Sequence, residues 1–442
     1  MLKRTYAAGL LLLAATAAVA AQGGAPVAPS TATPPSAPAR PRGAPGAAHG
    51  ARLSPDRLKR IDEVMQRYVD ENRIAGMVGL VLQNGRPVYE KAFGWADREA
   101  NRRMTVDAIF RIASQTKAIT STAVLMLVEE GRIGLDQPVS DFIPTFKNTT
   151  VAVKGTNGEV RLEPAKRPIT IRMLLTHTAG INYGTSDEVA KLYEAKGLGP
   201  AAGLGWYTAD KDESVCVTME RLGTLPIVAQ PGEAWVYGYN TDILGCVVEK
   251  ASGLALDRFL AQRILGPLGM TDTQFFVRPE QRSRLAAVYA SGASGTAERA
   301  PDGARGQGHY ADGPRRNFAG GAGLTSTARD YAKFLEMIRN GGVANGVRFL
   351  SPRTVQLMRT NQVDTLHSTT GLGFGLGFET TDRYGANGLD SVGSYGWAGA
   401  YGSIYRIDPN ANLTIVMMVQ QLPNATDIRT KFPTLVYQAL VE

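Results

Sequence analysis

The sequence predicts an α+β fold. Both ends of the chain supply strands to one antiparallel sheet flanked by helices, and a mostly helical subdomain, about 114–310, is inserted between them. Three observations carry this. Near the start, "GMVGLVLQ" and "RPVYEKAFGWAD" are strand-like runs on either side of Asn84-Gly85, a pair that favours a tight hairpin turn. Near the end, "YGSIYRID" and "LTIVMMVQQ" form a second such pair around Pro409-Asn410. Each pair has a helix beside it. "DRLKRIDEVMQRYVDENRI" follows Ser54-Pro55, a serine cap with proline in the first turn, and "DIRTKFPTLVYQALVE" closes the chain. Elements grouped in this way place an active site at the junction of sheet and helical region.

The remaining segments follow in order. Lys3 and Arg4, the apolar "AAGLLLLAATAAVA" and "AVA" before Ala21 read as a secretory signal over 1–20, with export to the periplasm or outside the cell. The apolar core is short for a bilayer span, so no stable membrane insertion is expected after cleavage. Residues 21–52 are Pro/Ala-rich without apolar periodicity and read as a disordered linker. The folded domain is 53–442. Within it, 151–168 reads as a small exposed ribbon and 290–317 as a long loop.

Composition excludes several classes. The chain has 442 residues, 44% hydrophobic and 20% charged, which is ample for a real core. The net charge of +8 is scattered, with no basic block interleaved with aromatics, so nucleic acid is not an expected partner. Two cysteines and four histidines occur without HExxH or CxxC spacing; neither a metal site nor a cofactor is implied. Cys216 and Cys246 lie in helix-like apolar segments and read as two small buried residues rather than a bridge.

Chemistry centres on "RIASQTKAIT", 111–120, which opens a long apolar run. Lysine is costly to bury unless it is paired or put to use. In a helix, residues three apart share a face, so the Ser114 hydroxyl and the Lys117 amine can meet. At a helix start, free N–H groups and the dipole favour negative charge. A lysine in an apolar junction has its neutral form favoured and can take a serine proton. An isolated Ser-x-x-Lys also reads as an N-cap beside a solvated lysine.

The pair does not stand alone. With "LLTHTAGI" (174–181), "PGEAWVYGYNTDILG" (231–245), "LGPLGMTDTQF" (265–275), "GGAGLTSTARDYAKFL" (320–335) and "SYGWAGAYGSIYRIDP" (394–409), the chain from about 53 to 441 resembles the serine β-lactamase and penicillin-binding-protein-like hydrolases. It is most similar to class C β-lactamases, D-aminopeptidase-type peptidases and family VIII carboxylesterases. The resemblance implies a β-lactamase/transpeptidase-like fold, with Ser114 as nucleophile, Lys117 as its base and Tyr237 relaying protons to the leaving group. It implies an oxyanion hole from the N–H groups of Ser114 and Ala400. Trp397, Ala398, Gly399, Tyr239 and Asn240 fall on its substrate-binding elements.

Two departures bear on substrate. The tyrosine motif has Tyr239 at its third position and Asn240 one place later. Trp397 stands where lactamases and transpeptidases carry a cation for a carboxylate; its apolar wall suits an acyl or alcohol group. Ester hydrolysis is therefore the expected activity. The alternatives are a β-lactamase or D-amino-acid carboxypeptidase, with Arg315, Arg316 or Arg406 supplying the charge, and a catalytically silent ligand-binding homologue. Each predicts a small-molecule ester, β-lactam or peptide ligand.

Tyr183, Trp206 and Tyr207 are candidates for lining the cleft or for ordinary packing. His177 reads as a capping or packing residue at a glycine-terminated helix end. No G-x-S-x-G elbow occurs, and "GGAGLTST" lacks the ending of a phosphate loop; it reads as a tight turn into a helix near Thr327.

Overall fold

Asn84 and Gly85 take positive φ angles of 53° and 74°, and this turn folds the first hairpin back on itself. The computed structural model describes residues 52–200 and 204–441. The expected signal segment, and the expected linker as far as residue 51, lie outside the described residues. Arg52, placed at the linker's end, already belongs to the fold and pairs with Val441.

The main helices are α1 (Pro55–Asp70), α2 (Thr116–Glu129), α3 (Val215–Leu222), α4 (Asn240–Ser252), α5 (Ala328–Arg339) and α6 (Ile428–Tyr437). The central strands are β1 (Gly76–Gln83), β2 (Arg86–Asp97), β3 (Arg102–Arg103), β4 (Leu372–Phe374), β5 (Glu379–Thr381), β6 (Tyr395–Ala398), β7 (Ile404–Asp408) and β8 (Leu413–Val419). They form one sheet in the order β4-β5-β6-β7-β8-β1-β2-β3, antiparallel throughout. The chain ends meet at its middle, where β8 runs beside β1 from Leu413↔Gln83 to Val419↔Met77. The second hairpin turns over 409–412. Asp408 Oδ1 accepts the N–H groups of Asn410 and Ala411, each at 3.0 Å, and Asn412 takes a φ of 51°.

Strand alternation divides the sheet between two cores. Met77, Val81, Ile415 and Met417 face α1 and α6, packing against Ile61, Met65, Phe432 and Val436. Val78, Leu80, Val416 and Met418 face the helical region. Both faces are covered, so β1 is buried along its whole length. The Ser54 hydroxyl accepts the Arg57 N–H at 3.4 Å, capping α1 where its serine and proline predict.

The helical insert contains the expected ribbon, Thr150–Lys154 paired with Val160–Pro164. The expected long loop includes a short ribbon of its own, Tyr289–Ser291 with Ala297–Arg299. One expectation is overturned: Cys216 and Cys246 form a disulfide, with their Cα atoms 4.8 Å apart. Helices α3 and α4 lay their apolar faces on each other, so two cysteines that are each buried are buried together. Among the described residues no helix is long and apolar enough to cross a membrane.

Candidate active site

A tight turn over Ala113–Gln115 precedes α2. Between Ala108 and Leu127 every residue is buried except Ser114. Ala113 takes a φ of 44°, a costly conformation for a residue with a Cβ, and it turns Ser114 out of the core.

Lys117 is 2% exposed, and its buried amine is fully occupied. Nζ lies 3.3 Å from Ser114 Oγ, 3.0 Å from the Tyr183 hydroxyl and 2.8 Å from the Gly321 carbonyl. Three acceptors match the three protons of an ammonium. When the amine is neutral, two N–H groups serve Tyr183 and Gly321 and the lone pair turns to Ser114. This arrangement permits proton exchange with the hydroxyl.

Behind the lysine stands a carboxylate that sequence reasoning missed. Asp242, fully buried on α4, accepts the Gly321 N–H on Oδ1 at 3.0 Å. Burial raises its pKa to about 6, against the charge of Lys117 and the Gly321 N–H, which favour the anion. Gly321 therefore bridges the two groups through its N–H and its carbonyl. A Cβ there would lie 2.3 Å from Asp242 Oδ2 and would push the carboxylate out of this position. The turn read in "GGAGLTST" thus has a second task, and α5 follows it after the Thr327 cap. An ionisable residue in the apolar run "TDILGCVV" was the available signal for Asp242.

Tyr237 is half-buried beside the lysine, with Nζ 4.7 Å from its ring centre. Its hydroxyl accepts the indole N–H of Trp397 at 3.2 Å. Trp235 stacks on Tyr237 at 5.7 Å, and Phe374 meets the Trp397 ring edge-on at 5.4 Å. Together they make an aromatic wall beside Ser114 and Lys117. Tyr183, left open between cleft and core, belongs to the site. Burial holds its pKa well above the usual phenol value, so it stays neutral.

Strand β6 brings in the second expected oxyanion donor. A Cβ at Gly399 would sit 2.7 Å from the Ile112 carbonyl, so glycine lets the strand end lie against the turn that carries Ser114. Ala400 lies in this contact, beside Ala113 and Tyr401. The Ser114 and Ala400 N–H groups make none of the turn and loop hydrogen bonds that hold their neighbours.

Three expected substrate contacts are corrected. Ala398, next to Trp397 on an alternating strand, points to the opposite face and packs on the core beneath α1 and α6. Tyr239 is fully buried; its hydroxyl accepts the Gly199 N–H at 3.0 Å and donates to the Gly205 carbonyl at 2.5 Å. Asn240 is fully buried too, its Nδ2 3.0 Å from His177 Nδ1. Helix α4 begins at Asn240, so the chain has already turned inward there and Tyr237 is the motif's outward residue.

His177 caps and packs, as its context suggests. The left-handed residue at the helix end is His177 itself, with a φ of 59°, and not a glycine. Burial and the Lys117 charge press its pKa well below the ordinary value, so the ring is neutral. Trp206 meets Tyr401 edge-on at 5.8 Å and packs near Ala400, whereas Tyr207 is a core residue stacked on Tyr310 at 4.6 Å.

The arginines considered as stand-ins are engaged elsewhere. Arg315 meets the carbonyls of Val277 and Ala311, Arg316 pairs with Asp212 at 3.3 Å, and Arg406 with Glu379 at 3.2 Å and Asp390 at 3.4 Å. The arginine that does reach the strand end is Arg429 of α6. Its Nη2 lies 2.5 Å from the Gly399 carbonyl and 3.3 Å from that of Ala400. Among the described residues no group of three or more metal-ligating side chains is placed to hold an ion.

Comparison with known proteins agrees with this geometry. The Beta-lactamase family model matches residues 61–438. Esterase EstB of Burkholderia gladioli is 32% identical over 378 residues, covering 81% of this chain and 89% of that protein. A lovastatin esterase of Penicillium rubens is 32% identical over 391 residues, covering 81% of this chain and 92% of its own. Among solved structures, EstCE1, described as a hydrolase with promiscuous acyltransferase activity, superposes with a TM-score of 0.73 at 27% identity. That match covers 87% of this chain and 98% of the other. The chain is a β-lactamase-fold serine hydrolase and belongs to the beta-lactamase family.

Proposed function

We propose that the protein hydrolyses carboxylic esters through an acyl-enzyme on Ser114. The observation that carries this is the hydrogen-bonded group of Ser114, Lys117 and Tyr183 facing an aromatic wall where a carboxylate-binding cation would otherwise stand. Lys117 takes the Ser114 proton as Oγ bonds to the ester carbonyl carbon. The carbonyl oxygen, now negative, is held by the N–H groups of Ser114 and Ala400. As the alkoxide leaves, Tyr237 delivers a proton to it, and the tyrosine is reprotonated from the lysine. Water, deprotonated by the same groups, then cleaves the acyl-enzyme and frees the acid. Esterase EstB and the lovastatin esterase carry ester activities in their names, which supports this substrate class.

The amino-terminal signal pattern and the Cys216–Cys246 bridge fit an exported enzyme working in an oxidising compartment.

Turnover of p-nitrophenyl butyrate and of a chromogenic cephalosporin, each beside Ser114→Ala, tests the reading. Ester turnover lost in Ser114→Ala, with slow cephalosporin turnover, is the expected result. Fast cephalosporin hydrolysis would assign the site to β-lactams instead, and activity retained in Ser114→Ala would overturn the mechanism.

A further inference from the structure

The Gly399 carbonyl is an unusually loaded acceptor. It takes the Gly402 N–H at 3.1 Å, closing the turn after β6, and the Arg429 guanidinium at 2.5 Å. That carbonyl and the Ala400 N–H belong to one peptide unit. Hydrogen bonds to the oxygen of an amide draw electron density from its nitrogen and make the N–H a stronger donor, and a charged donor does so more than a neutral one. The polarised N–H is one that makes no turn or loop hydrogen bond of its own.

We propose that Arg429 is a positioning residue for the oxyanion hole. Its guanidinium fixes the 399–402 turn and polarises the Gly399–Ala400 peptide, so that the Ala400 N–H meets the developing oxyanion as a strengthened donor. The inference rests on the acyl-enzyme reading above. The guanidinium carries its positive charge one peptide width behind the oxyanion, where it favours the transition state over the neutral ester. The effect falls on the chemical step and leaves substrate binding nearly untouched. Burial presses the Arg429 pKa below its ordinary value, although the group remains charged, and Tyr237 nearby opposes that shift. Arg429 lies in the first turn of α6, where lysine and glutamine are both compatible with a helix.

The test compares wild type with Arg429→Gln and Arg429→Lys, each checked for an unchanged melting curve. Removing an oxyanion donor outright costs about 100- to 1000-fold in kcat, so weakening one should cost about 10-fold. Arg429→Gln is expected to lower kcat for p-nitrophenyl butyrate by about 10-fold with KM within about 2-fold, and Arg429→Lys to recover most of the loss. The distinguishing readout is infrared. The carbonyl stretch of the acyl-enzyme formed from carbonyl-13C p-nitrophenyl butyrate should move to higher wavenumber in Arg429→Gln and return in Arg429→Lys. An unmoved band, or equal losses in both variants, would overturn the proposal while leaving the acyl-enzyme intact. Ester turnover retained in Ser114→Ala would instead remove the functional reading itself, and this inference with it.

Discussion

The indole N–H of Trp397 donates to the hydroxyl of Tyr237 at 3.2 Å. The tryptophan is therefore both the wall that replaces a cation and a hydrogen-bond donor to the proposed proton relay. It fixes which lone pair of the phenol is spent and leaves the O–H free to point at the leaving group. Trp397→Phe keeps the wall and removes the bond. Losing one hydrogen bond of about 1 kcal/mol predicts a kcat for p-nitrophenyl butyrate about 5-fold lower with KM little changed. Trp397→Lys should lower ester turnover further and raise cephalosporin turnover. Steady-state kinetics on both substrates decides, and equal values in wild type and Trp397→Phe would show that the bond has no part in the chemistry.

Two tyrosines crowd Lys117, and their roles separate by size of effect. Tyr183 only accepts from the lysine, so Tyr183→Phe removes one of three partners and should lower kcat about 10-fold. Tyr237, as general acid, should cost about 100-fold or more as Tyr237→Phe. The reverse ranking would move the relay to Tyr183.

Asp242 makes stability depend on pH in a defined direction. Its folded pKa of about 6 lies above the ordinary 3.8, so between those values the folded state binds the extra proton. Its contribution is favourable below about pH 4 and is lost as pH rises through about 6, a change of about 3 kcal/mol. Asp390, also raised to about 6 by burial, acts the same way, and His177, held neutral, acts in the opposite sense below its ordinary value. The clean measurement is therefore the difference between wild type and Asp242→Asn in urea-unfolding free energy at a series of pH values. That difference should shift by about 2 kcal/mol against the wild type between pH 4 and 6. A flat difference would show that Asp242 titrates normally.

The disulfide joins positions 30 residues apart and ties α3 to the helix that carries Asp242. Loop-closure entropy for that separation predicts a loss of about 3 to 4 kcal/mol in Cys216→Ser/Cys246→Ser. Equilibrium unfolding of the two forms measures it. Unfolding midpoints that coincide would place the bridge outside the cooperative unit.

What could be read from the sequence divides along physical lines. The hairpins were legible because a period of two and a two-residue turn are local signals. Lys117 was legible because an ammonium inside an apolar run needs a reason. Tyr237 and Tyr239 look alike in the chain, two places apart; what separates them is where α4 starts, and that depends on packing. Ala398 falls within the third motif, yet alternation along β6 puts it opposite Trp397. The disulfide and Asp242 depend on how α3, α4 and α2 meet in space. Arg429 follows buried Ile428 in the first turn of α6, and only the sheet beside it gives its guanidinium a task.

The pairing of β8 with β1 has a consequence for biosynthesis. The ribosome makes Ser114 and Lys117 long before Trp397, Ala400 and the strand that aligns them. Pairing across such a sequence distance is slow, and here it cannot begin before the last strands exist. A partly made chain thus holds a serine and a lysine without the cradle that makes them reactive. On the acyl-enzyme mechanism proposed above, a chain cut short before residue 400 lacks its second oxyanion donor and stays inactive.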